Sequence, residues 1–378
     1  MGLSDVIQPI ESARGLPNEH YVCPQMFARE REALFFKNWS AIAFESDVAK
    51  PGDAFPVEFL GIPLLVVRAK NGDLNIFQNT CRHRGMILVD EPTNLKGPIR
   101  CPYHSWCYDH SGDLIRTPYV GGVKKDTHEA VRPEELGLFK IRSHVWHGVI
   151  FVNISADAKD FEVEHANLLD RWAEFKQPFY SAGKFSQFEM TLNSNWKLAI
   201  ENFCESYHLP WVHPELNQIS PIDVHYPIDS SEGYSGQGSF NYNQLVGEDG
   251  RKFVDFKALS KTWDKQAEYV SFFPNVLMGV HRDHAYATIL VPLGPEKTLE
   301  RGSLFYANSN IDDVAWQSLV KENTRIWEDV FSEDVKVVEG MQKGRHGVFF
   351  DGGKFSPEMD GPTHVFHKWV ARQMQSLK

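Results

Sequence analysis

The sequence predicts an α+β fold in two domains, an antiparallel β domain followed by a domain that mixes helices and strands. Three observations carry this expectation. The chain has 378 residues, more than one hydrophobic core ordinarily organises. Between about Trp39 and Asn153 its apolar runs are short and strand-like, as in "GIPLLVV", "LNIFQNT" and "HGVIFVN". Beyond Asn153, stretches of helical periodicity alternate with extended ones. With 42% apolar and 13% aromatic residues the composition is ordinary globular material, and no apolar run approaches the ~20 residues of a membrane span. The net charge of -11 repels phosphate backbones and anionic lipid. That argues against nucleic acid or membrane as partner and leaves room for a basic docking protein. The start "MGLSDVIQPIESARG" has neither a basic opening nor an apolar core, so no secretory signal is read and a cytoplasmic location is expected. Five cysteines, an odd count, argue for metal ligands and buried thiols rather than a disulfide framework.

In chain order, Phe27, Leu34, Phe35 and Trp39 recur at helical spacing among Arg and Glu, which predicts one amphipathic surface helix. Residues 1–38 are expected to pack on the second domain, 39–155 to form the β domain, and 156–378 to form the α+β domain. In the β domain, "NGD" at Asn71–Asp73 and "SGD" at Ser111–Asp113 are hairpin signals. In the second, "HANLLDRWAEF" and "NWKLAIENFCESYH" read as helices, while "EYVSFFPNVLMGV" and "AYATILVPL" read as strands. The Gly- and Ser-rich stretch from Ser230 to Phe253 has no period and predicts a mobile loop. No internal repeat is visible.

Two short stretches in the β domain carry metal-binding chemistry. "CRHRG" supplies Cys81 and His83, and "CPYHSW" supplies Cys101 and His104. Thiolate and imidazole together suit zinc or iron–sulfur chemistry. A zinc ribbon presents paired cysteines on each knuckle, whereas here each half offers one cysteine and one histidine. That matches a [2Fe-2S] cluster with one iron on two thiolates and the other on two imidazoles, the Rieske pattern. A structural zinc knuckle is the alternative. Trp106 is read as a lid over the site, and Cys23, Cys107 and Cys204, which match no ligand position, as buried thiols.

The order C-x-H-R-G, then C-P-Y-H-x-W, resembles the Rieske non-heme iron oxygenases, in their terminal oxygenase or alpha component. The resemblance spans the chain. It implies a Rieske domain joined to a catalytic domain in which helices cover an antiparallel sheet around a mononuclear Fe(II).

A destination for electrons is legible in "ENFCESYHLPWVHP". Asn195 is placed to cap a helix running from Trp196 to about His208, with Pro210 stopping it. Glu205 and His208, three apart, would share a face, and the break at Pro210 would let His213 turn to the same point. Two histidines of this kind look like part of a 2-His-1-carboxylate iron site. For the carboxylate, the segment from Val314 to Gln342 is helical. Trp316, Leu319, Asn323, Ile326, Trp327, Val330, Val337 and Met341 form one stripe, and Asp334 falls in its middle. A buried carboxylate demands a cation, so Asp334 is the expected third ligand. Glu333, on the stripe's edge, is the runner-up, and Asp329 lies outside. The family resemblance agrees, since it places this carboxylate ahead of a Gln-x-Gly, here Gln342-Lys343-Gly344.

The resemblance also implies that Glu205 links a cluster-bound imidazole of one subunit to an iron-bound imidazole of another. This goes with a head-to-tail ring, usually a trimer, and a separate NAD(P)H-dependent reductase, with or without a ferredoxin. Many aromatic-ring dioxygenases carry Asp at this position. The Glu here resembles the members acting on quaternary ammonium compounds, which implies a monooxygenase or N-demethylase using O₂. Aromatic-ring dioxygenation is the alternative within enzymes; a Rieske electron-transfer protein and a zinc-stabilised binding module are those outside. "HRDH" at His281–His284 is read either as pocket lining or as a solvated strand end.

Overall fold

The computed structural model describes residues 2–229 and 233–376. Their packing divides into two units, Ile42–Ala156 and the combination of Met1–Ala41 with Asp157–Lys378.

The unit of residues 42–156 is built from short strands: β1 (Ser40–Phe44), β2 (Asp53–Phe59), β3 (Ile62–Arg68), β4 (Leu74–Gln78), β5 (Thr93–Asn94), β6 (Ile99–Arg100), β7 (Cys107–Tyr108), β8 (Leu114–Arg116), β9 (Arg142–Trp146) and β10 (Val149–Asn153). They form three small sheets, ordered β1-β10-β9, β4-β3-β2-β5 and β6-β7-β8. Both hairpin signals fold as turns. Asn71 Oδ1 accepts the Asp73 N–H at 3.1 Å. Asp109 Oδ1 accepts from Ser111 at 2.9 Å and Asp113 at 3.0 Å, the local side-chain bonds that let Asn and Asp shape turns. Gly112, at φ +95, is required twice over, because a Cβ there would also stand 2.6 Å from Phe77. Leu65, Val67, Phe77, Ile99 and Tyr108 make the core on which the two metal-motif loops rest.

In the other unit, α1 (Pro24–Glu30) widens into a π-helical turn at Arg31–Phe36. The segment is amphipathic as expected, with Leu34, Phe35 and Trp39 buried and Arg29, Glu32 and Lys37 exposed, but Glu30 is buried as well. Glu30 is tolerated inside because Lys197 Nζ lies 2.6 Å from one carboxylate oxygen and His20 Nδ1 2.7 Å from the other. No local pattern could announce a partner 167 residues away.

After α2 (Ala166–Arg171), a seven-stranded antiparallel sheet forms from β11 (Gln187–Leu192), β12 (His225–Ile228), β13 (Tyr234–Ser239), β14 (Ala267–Phe272), β15 (Val276–Val280), β16 (His284–Gly294) and β17 (Lys297–Tyr306), in the order β11-β17-β16-β15-β14-β13-β12. The helices α3 (Trp196–Phe203), α4 (Leu209–Val212), α5 (Pro214–Ile219), α6 (Gln317–Gly344) and α7 (Gly361–Gln375) also belong to this unit. Of these, α3 packs on β14 and β16, α6 on β11, and α7 on β12 and β13. Every residue of β15 is buried, as expected for a strand covered on both faces.

Two expectations are corrected. The stretch from Ser230 to Phe253 is not all loop. Ser230–Glu232 lie outside the described residues, but Tyr234–Ser239 form the buried strand β13. Its glycines serve packing rather than freedom: a Cβ on Gly236 would meet the Tyr269 carbonyl, and one on Gly238 the ring of Tyr226. The helix begun at Trp196 ends at Phe203, not near His208. Pro210 does not stop it but opens α4, because proline fits a helix's first turn, where its missing N–H would have no partner anyway.

Candidate metal centres and the cavity beside them

In the unit of residues 42–156, the two cysteine–histidine loops share one backbone design. The Cys81 N–H donates to the Met86 carbonyl at 2.8 Å and the Gly85 N–H to that of Cys81 at 3.0 Å; the Cys101 N–H donates to Trp106 at 2.8 Å and Ser105 to Cys101 at 3.0 Å. Each loop reverses through a positive φ, at Gly85 (+71) and at Ser105 (+57). Only the second costs side-chain strain. Both thiols are buried, with His83 exposed and His104 half-buried. The two imidazoles meet edge to face, with centroids 4.8 Å apart. Trp106 lies parallel to His83, its ring centroid also at 4.8 Å, and Tyr108 Oη sits 3.3 Å from Cys81 Sγ.

The arrangement fits an iron–sulfur cluster. Nδ1 of His104 is buried with no hydrogen-bond partner. Burial pushes the Cys81 thiol pKa up, with the Cys101 thiol adding to it, so thiolates at this spot call for a metal's charge. None of the five cysteines is in a disulfide. Of the three cysteines outside the motif, Cys107 and Cys204 are buried while Cys23 is only half-buried, its Sγ 3.1 Å from Gln25 Oε1.

In the other unit, His208, His213 and Asp334 bring ligand atoms within 4.8 Å of one another. Asn195 caps α3 by accepting the Lys197 N–H at 3.0 Å. Beyond the helix end, the Glu205 carboxylate accepts the N–H groups of Tyr207 and His208. His208 and His213 then flank the single turn of α4 as its two caps. Asp334, on α6, places Oδ1 2.9 Å from His213 Nε2 and 3.7 Å from His208 Nε2. Yet that oxygen is buried with no donor in hydrogen-bonding geometry, the situation a shared cation resolves.

The far nitrogens are held as well: His208 Nδ1 lies 2.6 Å from Glu205 Oε1, and His213 Nδ1 2.6 Å from Glu333 Oε2. Carboxylates there fix the ring tautomers with Nε2 turned inward. Burial favours the neutral form of His213, but Asp334 and Glu333 hold its pKa above the ordinary histidine value. The stripe on α6 is shifted from its expected phase. Val320, Thr324, Phe331, Val338 and Gln342 are its buried members beside Leu319 and Asn323, while Ile326 is exposed. Asp334 still faces inward, with its side chain 20% exposed against 40% for Glu333.

A cavity opens beside these three residues. One wall is aromatic: Phe203, Tyr269, Tyr286 and Trp327, with the Tyr286 and Trp327 ring centroids 4.3 Å apart. Burial pushes both tyrosine hydroxyls' pKa values up, so they are neutral phenols. The lining turns polar beyond Tyr269, whose cross-strand neighbour is Gln237, with Ser220 and His225 beside it. His281 and His284 do not line the cavity, nor are they solvated. They lie buried behind the aromatic wall, where His284 Nε2 accepts the Trp327 indole N–H at 2.9 Å. Glu300, next to Asp334 in an adjoining small cavity, is fully buried. Burial, then the Asp334 charge, raises its pKa to about 8. The sequence reading missed Glu333 as a histidine partner, both cavity walls and Glu300. The Glu333-Asp334 dipeptide was the one available signal; the walls gather from separate elements and gave none.

The ring hydroxylating alpha subunit (catalytic domain) family matches residues 169–376, and the Rieske [2Fe-2S] domain family matches residues 38–126. The chain is similar to the chloroplastic choline monooxygenase of Arabidopsis thaliana, at 27% identity over 95% of this chain and 82% of that protein. It is also similar to the carnitine monooxygenase oxygenase subunit of Escherichia coli (strain K12), at 23% identity over 88% of this chain and 85% of that one. Its fold matches a quaternary ammonium Rieske monooxygenase whose structure bears on carnitine oxidation and inter-subunit electron transfer, with a TM-score of 0.79, 21% identity and 99% of both chains covered. Among the described residues no helix is long and apolar enough to cross a membrane.

Proposed function

This chain belongs to the ring hydroxylating alpha subunits, with a Rieske [2Fe-2S] domain ahead of the catalytic domain, and from that premise we propose that it oxidises a small quaternary ammonium or N-methylated compound. It is a Rieske-type oxygenase using O₂, an oxidoreductase with a [2Fe-2S] cluster and a mononuclear non-heme iron. In this reading Cys81, His83, Cys101 and His104 hold the cluster, and His208, His213 and Asp334 hold the iron. When bound, the cluster supplies single electrons and the iron the site of O₂ activation.

The protein's own residues do the rest. Glu205 and Glu333 orient the two imidazoles, and the aromatic wall excludes water and holds the substrate against the iron site. That wall is the observation that carries the substrate class. Phe203, Tyr269, Tyr286 and Trp327 offer π faces to a cation, and Asp334 is the one formally charged residue among the described lining residues other than histidine. The relatives named for choline and carnitine support the same class. For an N-methyl carbon the balance is substrate, O₂, two electrons and two protons giving the N-hydroxymethyl product and water. The product then breaks its N–C bond to release formaldehyde, and the electrons come from NAD(P)H through a separate reductase.

Glu205 is assigned as a positioning residue that joins His208 to a cluster-bound imidazole of a neighbouring chain in a ring, taken as a trimer. Side chains suited to an interface support this: Tyr103 beside His104 is 56% exposed, and Tyr207 and Trp211 beside His208 are 44% and 72% exposed. The cytoplasm is the compartment that goes with this reading. The test is incubation of the purified oxygenase, a surrogate reductase and NADH with a panel of N-methylated compounds, followed by mass spectrometry. Loss of one CH₂ or gain of one oxygen atom is expected. Gain of two oxygens and two hydrogens on an arene, with no change in any ammonium compound, would replace this reading with ring dihydroxylation.

A further inference from the structure

The polar wall of the cavity is a hydrogen-bonded chain whose direction can be worked out atom by atom. Gln237 Nε2 donates to the Glu205 carbonyl at 3.0 Å, so the amide oxygen is the end that faces His225 Nδ1 at 2.7 Å. Nδ1 must therefore carry the hydrogen. Burial lowers the His225 pKa, which keeps the ring neutral and makes Nε2 an acceptor. Its neighbour at 2.9 Å, Ser220 Oγ, then donates its only hydrogen to the ring. Ser239 Oγ, 2.6 Å from Ser220 Oγ and already accepting the Asn241 N–H at 3.2 Å, must donate to Ser220. What Ser220 has left for the cavity it lines is one lone pair and no hydrogen.

We propose that Ser220, fixed by His225, Gln237 and Ser239, is a specificity-determining residue that selects an N-methylated amino alcohol, its hydroxyl donating to Ser220 while the cationic end lies against the aromatic wall. This rests on the quaternary ammonium reading above and deepens it. A carboxylate is turned away for two reasons. It brings only acceptors to an acceptor, and no Lys or Arg is among the described residues that line the cavity. An ether of the alcohol keeps the shape but leaves the buried Ser220 lone pair facing a group that cannot donate, which is the costly way to lose a hydrogen bond.

The test compares kcat/KM for O₂-dependent consumption of three trimethylammonium compounds bearing 2-hydroxyethyl, 2-methoxyethyl or carboxymethyl groups. The wild-type protein is expected to prefer the alcohol over each of the others by about tenfold or more. Ser220→Ala should bring the alcohol-to-ether ratio towards one, and Ser220→Thr, which keeps the hydroxyl, should preserve it. If the wild type consumes the ether as well as the alcohol, or prefers the carboxylate, the role of Ser220 is overturned while the quaternary ammonium reading stands. If Ser220→Ala leaves the alcohol-to-ether ratio unchanged, the role of Ser220 is likewise overturned. If none of the three is consumed by an enzyme whose cluster the reductase reduces, that reading falls and this inference with it. The wild-type comparison decides even where a variant does not fold.

Discussion

Nδ1 of His213 lies 2.6 Å from Oε2 of Glu333. Adjacent carboxylates on one helix thus divide the work on a single imidazole, Glu333 on its outer nitrogen and Asp334 near its inner one. The expected consequence is graded. Asp334→Ala should empty the mononuclear site, whereas Glu333→Gln should weaken iron binding by about 10–100-fold, the usual cost of losing a carboxylate behind a metal-bound histidine. Iron counted per chain against chelator concentration checks both. Equal loss in the two variants would mean that Glu333 binds the metal itself.

The loaded protein is expected to carry three irons per chain, two in the cluster and one in the mononuclear site, and to give a Rieske-type EPR signal on reduction. His208→Ala and His213→Ala should lose the single iron and all turnover while that signal remains. A colourless protein with stoichiometric zinc would restore the zinc-knuckle reading.

Glu205 is tested by pairing two inactive variants, His104→Ala and His208→Ala, through co-expression in one cell. Mixed oligomers should regain activity if electrons cross between chains. Glu205→Ala should keep both metals and lose most turnover, and Glu205→Asp should recover part of it, since one methylene less misplaces the carboxylate by about 1 Å. Mixed oligomers that form and stay inactive would place transfer within one chain.

The buried ion network beneath α3 predicts acid sensitivity. Burial alone would raise the Glu201 carboxyl pKa, but His367, Arg345 and Tyr21 hold it down at about 2, below its ordinary 4.5. A folded pKa below the unfolded one stabilises the fold at higher pH, so this contribution is full above about 4.5 and is lost as pH falls towards 2. Glu201→Gln should cost about 3–5 kcal/mol at neutral pH, because it leaves Arg345 buried without its partner. It should also flatten this acid limb in denaturant titrations.

Glu300 runs the other way. Its folded pKa of about 8 exceeds its ordinary 4.5, so it favours the fold at low pH and progressively opposes it as pH rises from 4.5 to 8. Thermal midpoints of Glu300→Gln should gain on the wild type across that window. A constant difference would show that the acid stays ionised.

What was legible in the sequence was local. Cys81, His83, Cys101 and His104 sit in two five-residue turns, so their spacing is visible in the sequence, whereas His208 and His213, which flank one helical turn, stand out only beside that motif and the family resemblance it carries. The stripe that points to Asp334 has its phase off in the sequence, because polar Thr324 and Gln342 are buried where an apolar rule does not look. Thr324 Oγ1 lies 2.8 Å from the Val320 carbonyl one turn back and 3.0 Å from that of Phe185, the second a partner outside any periodicity. The end of α3 was misplaced because proline reads alike as a stop and as a start. Strand β13 reads as loop in the sequence because glycines that admit Tyr226 and Tyr269 look, in one dimension, like glycines that admit motion. Ser220, His225 and Gln237 meet only after two turns and a strand pairing, and no sequence window contains that meeting.

Gln342 accepts the Asn195 N–H at 2.9 Å through Oε1, while its Nε2 donates to the Tyr21 carbonyl at 3.2 Å and to Glu296 at 3.0 Å. One buried amide thereby rivets the helix that carries Asp334 to the start of the helix that leads to His208, and both to the N-terminal segment. This joint ties the two segments together through the chain's own bonds. A site braced in this way is expected to keep its shape when emptied, so that a chelator should strip iron, and added iron restore it, without passing the chain through an unfolded state.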